Sequence, residues 1–68
     1  MAKHIRTVLK ELRRQKNLSR RKLSALTGVK EAHILRIESL GYTDIYYDSL
    51  VALAAFLGVT AEEILFLK

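Results

Sequence analysis

Apolar and polar positions alternate along this chain with a helical period almost from end to end. Ile5, Val8, Leu9 and Leu12 recur at i, i+3, i+4 and i+7, which predicts an amphipathic helix over residues 4–15 with a basic outer face. Leu23 and Leu26 follow Ser19, whose hydroxyl can accept from the free amides of a first turn, and predict a second helix over 20–27. Ile34 and Ile37, with Val29 just before them, fix the inner face of a third over 30–39. Residues 47–57 carry Leu50, Val51, Leu53, Ala54 and Leu57 and read as apolar nearly all round, as a central helix should. Thr60-Ala61-Glu62-Glu63 is a capping box that opens a fifth helix, followed by Ile64, Leu65, Phe66 and Leu67. Four consecutive apolar residues cannot all face inward on one helix, so some of the last three are expected to be exposed or covered by a partner.

The breaks between these segments are legible too. Asn17 stands where the first helix must turn left-handed. Gly28 does the same in Thr27-Gly28-Val29, and Gly58 ends the fourth helix. Helix, short turn with glycine, then helix is the helix-turn-helix pattern, here spanning residues 18–41. The loop 40–45 is followed by Asp48, which favours the start of the fourth helix through its dipole.

Composition narrows the chemistry. The chain has 68 residues, no cysteine and no proline. One small helical domain, without disulfides or a thiolate metal site, is the expectation. No cofactor is implied, and His4 and His33 lack any metal-ligand spacing. No apolar run is long enough to span a membrane and no signal-peptide pattern opens the chain, so a cytoplasmic setting is expected. An enzyme is not expected: no Ser/His/Asp constellation has suitable spacing, and the three glycines are isolated.

Charge is more informative than its total of +5. Residues 1–36 hold eleven Lys and Arg against Glu11 and Glu31, a net of +9, whereas residues 37–68 hold Lys68 against five acids, a net of −4. A positive field on one half suits a polyanion. The basic half contains no Phe, Tyr or Trp on which RNA bases would stack, so double-stranded DNA is the better partner. Lys30 stands where a helix cap would be expected and brings a charge that can reach phosphate.

With these residues in view, the chain resembles the Cro/repressor-type (Xre-like) helix-turn-helix DNA-binding domains. The resemblance rests on Leu18-Ser19, Leu23-Ser24, Thr27-Gly28-Val29, Ile34 and Ile37-Glu38, and continues through Asp48-Ser49-Leu50 and Leu57-Gly58-Val59. It implies an all-α, compact five-helix, lambda-repressor-like fold in which helices 2 and 3 form the helix-turn-helix. The resemblance implies that Arg20 contacts DNA phosphate, with Arg21 and Lys30 beside it. It places base readout at Glu31, Ala32 and Arg36 on helix 3; Leu35 departs from the usual small polar residue there, and either meets a thymine methyl or folds back onto the core. It pairs Glu38 with Arg13 as a structural ion pair. The loop after helix 3 is one residue longer than the family pattern, which shifts Tyr42 and Thr43, the phosphate partners expected from it.

The function expected is that of a small stand-alone repressor, binding double-stranded DNA as a dimer. The resemblance puts the dimer interface at the C-terminal end, at Leu65, Phe66 and Leu67. The alternative is an antitoxin or protein-interaction module that uses the same apolar end, with a toxin or RNA polymerase as protein partner.

Overall fold

A computed structural model describes residues 7–65 and contains, among them, five α-helices: α1 (Leu9–Gln15), α2 (Arg20–Thr27), α3 (Glu31–Ser39), α4 (Tyr47–Leu57) and α5 (Ala61–Ile64). A 3₁₀ turn, Asp44–Tyr46, leads into α4. No strand is present among the described residues, and the fold is the all-α arrangement that the periodicity predicts.

One continuous core holds the helices together. Leu9, Leu23, Ile34, Ile37, Leu53 and Ile64 are fully buried, so every helix contributes at least one side chain removed from water. Val29, Tyr42, Tyr46, Leu50, Ala54 and Leu57 complete it, and Leu12, Leu18 and Leu65 pack against its edge. Burying a Leu or Ile side chain is worth about 1.5–3 kcal/mol, which makes this cluster the main support of so short a chain. Among the described residues, no buried side-chain nitrogen or oxygen lacks a hydrogen-bond partner.

Helix ends follow local chemistry. Ser19 Oγ accepts from the Lys22 amide at 3.0 Å and caps α2. Gly28 closes α2 with φ +78°, and Gly58 closes α4 with φ +74°. Asn17 takes φ +57°, the left-handed conformation expected at the end of α1 and one that Asn tolerates better than most residues. The capping box of α5 is formed in both directions: Thr60 N donates to Glu63 Oε1 at 2.7 Å, and Glu63 N donates to Thr60 Oγ1 at 3.1 Å.

Four features differ from the sequence reading. Helix 1 begins at Leu9, and Thr7 and Val8 are not part of it. Their backbone is tied to the other end of the fold: Thr7 pairs antiparallel with Leu65, and Val8 N donates to Ile64 O at 2.7 Å. Thr7 Oγ1 also donates to Ile37 O at 3.2 Å. The rest of the predicted start, residues 4–6, lies outside the described residues. The same pairing shortens the last helix, which stops at Ile64 and leaves Leu65 extended. Leu26, one of the two apolar positions that mark the second helix, is 48% exposed. α2 turns Arg20, Leu23, Ser24 and Thr27 inward instead, and Leu26 falls on its flank. α4 buries one side, Leu50, Leu53, Ala54 and Leu57, while Tyr47, Val51 and Phe56 stay exposed.

Candidate nucleic-acid interface

The turn between α2 and α3 is fixed by its own residues. Thr27 Oγ1 donates to Leu23 O at 2.8 Å and accepts from Val29 N at 3.2 Å, stitching the last turn of α2 to the first residue beyond Gly28. Val29 is buried and anchors the connection in the core. Lys30 then occupies the N-cap of α3, where its donor-only ammonium cannot cap the helix, and it is exposed.

α3 has two distinct sides. Ile34 and Ile37 are fully buried, whereas Glu31, Ala32, Leu35, Arg36 and Ser39 are exposed. Leu35 does not fold back onto the core; it is 43% exposed. His33 sits on the flank, half-buried, with Nδ1 3.3 Å from Ser49 Oγ and its ring 5.2 Å from that of Tyr46 at 57°. This contact ties α3 to the start of α4. An α-helix with an exposed side of this kind fits the DNA major groove.

The N-terminal turn of α2 carries Arg20, Arg21 and Lys22 and no acid. Three cations at the positive end of a helix dipole are unfavourable for the helix alone and are relieved by an anion. Arg21 and Lys22 are exposed, and Arg20 is half-buried. The reason is an ion pair that sequence reading did not find: Arg20 Nη1 lies 3.4 Å from Glu38 Oε1. The two residues are 18 positions apart, on α2 and α3, and no periodicity joins them.

Glu38 has a second, closer partner. Arg13 Nε donates to Glu38 Oε2 at 2.7 Å and Arg13 Nη2 to Oε1 at 3.2 Å. Arg13 Nη1 donates to Leu18 O at 2.7 Å, so the guanidinium clasps α1, the α1–α2 loop and α3 at once.

Tyr42, expected as a phosphate partner, packs its ring into the core. It is 4% exposed, and burial first, then the charge of Asp44 and the neighbouring Tyr47, raise its phenol pKa above the usual 10.0. The loop turns this ring inward and leaves Leu40 and Ile45 in solvent at 60% and 80% exposure. Thr43 is half-buried at the surface. Leu65 is half-buried beside Thr7, and Phe66 and Leu67 lie outside the described residues.

A helix-turn-helix family model matches residues 9–64, which takes in all five helices. The chain belongs to the Cro/repressor-type helix-turn-helix family. Neither a curated protein nor a solved structure gives a significant match. Membership makes this a DNA-binding helix-turn-helix regulator, from a family of DNA-binding regulatory domains and not of enzymes. Among the described residues, no helix is long and apolar enough to cross a membrane, and no group of His, Cys, Asp or Glu is arranged to hold a metal ion.

Proposed function

We propose that residues 1–68 act as one DNA-binding domain, that of a repressor reading double-stranded DNA through α3 as a dimer. The observation that carries this reading is the two-sidedness of α3. Ile34 and Ile37 pin one side at 0% exposure, and Glu31, Ala32, Leu35 and Arg36 stand on the other. In the major groove, Arg36 would bond O6 and N7 of a guanine, Glu31 would accept from a cytosine amino group, and Ala32 and Leu35 would meet thymine methyls. Arg20, Arg21 and Lys30, with Thr43 from the loop, would hold phosphates and supply affinity that falls with salt. A two-fold dimer would place two such helices about 34 Å apart, one turn of the duplex.

A second reading is favoured by one feature. Leu40, Ile45, Tyr47, Val51 and Phe56 are all at least 41% exposed and lie between residues 40 and 56. So much exposed apolar surface suits a protein partner, and an antitoxin would combine such a contact with DNA binding.

Selection of bound duplexes from a random DNA pool, at about 150 mM salt where weak ionic binding is suppressed, separates the readings. An enriched palindrome with regular half-site spacing supports the dimeric sequence reader. A pool without an enriched motif rejects it and directs attention to the protein partner.

A further inference from the structure

The two arginines at Glu38 are not equivalent. Arg13 is committed to the fold: its three nitrogen groups all donate within the protein, and its side chain is only 9% exposed. It neutralises the Glu38 carboxylate, which is 2% exposed. The cluster of two cations and one anion therefore keeps a net charge of +1, and that charge reaches the surface through Arg20, whose side chain is 39% exposed. Arg20 is the first residue of α2, directly after the Ser19 cap. Its one side-chain bond among the described residues is the long contact to Glu38 at 3.4 Å. A guanidinium has five donors in a rigid fork, so one such contact restrains it and leaves most of its donors for another anion.

We propose that Glu38 is a positioning residue for DNA binding, holding Arg20 ready to take a backbone phosphate. The proposal rests on the phosphate role given to Arg20 above. Glu38 then does two jobs with one carboxylate. Through Arg13 it fixes how α1 meets α3, and through Arg20 it removes rotamer freedom that an unrestrained arginine would lose on binding. A carboxylate this close has an opposite effect available to it, which is to compete with phosphate for Arg20. The geometry favours positioning, because Arg13 already satisfies both Glu38 oxygens at shorter distances than Arg20 does.

The test is a double-mutant cycle with the full chain. Arg20→Ala is made with Glu38 in place and again with Glu38→Gln, a neutral side chain of the same shape that still accepts from Arg13. Affinity for a random-sequence duplex of about 20 base pairs is measured across salt concentrations, since phosphate contacts are independent of sequence. With Glu38 present, Arg20→Ala should weaken binding about tenfold and reduce the salt slope by about one. In the Glu38→Gln background the same substitution should cost only about threefold. The change of net charge caused by Glu38→Gln is common to both arms and drops out of the comparison. An equal penalty in both backgrounds would reduce Glu38 to a purely structural residue and overturn the proposal. A larger penalty in the Glu38→Gln background would show that Glu38 sequesters Arg20, and would overturn it as well. If Arg20→Ala changes nothing even with Glu38 in place, the phosphate assignment itself falls, and the proposal with it. Should the Glu38→Gln protein fail to fold, NMR of the unaltered protein decides: hindered rotation of the Arg20 guanidinium supports positioning, and rotation as free as that of Arg21 overturns it.

Discussion

Arg13 and Glu38, 25 positions apart, form a bidentate ion pair in which the two side chains are 9% and 2% exposed. A pair so removed from water adds little net stability over apolar residues of equal size, yet losing one member strands the other's charge. Arg13→Ala should therefore cost about 3–5 kcal/mol in urea unfolding, whereas Arg13→Met combined with Glu38→Leu should cost markedly less. A loss below about 1 kcal/mol for Arg13→Ala would mean that water reaches Glu38 in the folded protein, as at an exposed pair.

Arg36 is the cation on the exposed side of α3, within a helix whose inner residues Ile34 and Ile37 are fully buried. If it reads a guanine, Arg36→Ala should reduce the preference for the selected operator over random duplex by about 1–3 kcal/mol. The check is competition binding at one fixed salt concentration. An equal loss on both duplexes would reassign Arg36 to phosphate.

The order of the helices and most of their ends were legible because they depend on neighbours in sequence. Ser19, Gly28 and the Thr60–Glu63 box act within a turn of their own positions, and each appears in the structure where the pattern puts it. What escaped was set by contacts between distant segments. The antiparallel pairing of Thr7 with Leu65 decides where α1 begins and where α5 stops, and neither terminus betrays it. Leu26 and Leu23 are equally apolar, and only the packing of α2 selects Leu23 for the core. In the candidate interface, the cations of α2 and the outer residues of α3 could be listed from spacing. The contact of Arg20 with Glu38, and of His33 with Ser49, could not, because each joins two helices at an angle no periodicity records.

The proposed dimer makes its own demand on the C-terminal end. Leu65 packs partly against the core, next to Thr7. If the residues after it form the interface, Phe66→Glu should turn a dimer into a monomer in sedimentation velocity while leaving helical circular dichroism unchanged, because burying an unpaired carboxylate between subunits is strongly unfavourable. An unchanged sedimentation coefficient would move the interface elsewhere, and the exposed Tyr47, Val51 and Phe56 of α4 would be substituted next.

Tyr42 gives the fold a pH dependence with a definite sign. Its phenol is held above the usual 10.0 by burial, with Asp44 and Tyr47 adding to the shift. The folded protein therefore keeps the phenolic proton at a pH where the unfolded chain has begun to release it. Stability tied to this group is complete below about pH 10 and is lost as pH rises through the higher folded-state value. Tyr42→Phe cannot ionise and fills nearly the same space in the core. Its unfolding free energy should consequently fall less than that of the unaltered protein between about pH 9 and about pH 11, measured by urea titration at each pH. Parallel declines in the two proteins would mean that the Tyr42 hydroxyl is as well hydrated in the folded state as in the unfolded one. The ring would then be buried while its oxygen stayed at the surface, within reach of a phosphate after all.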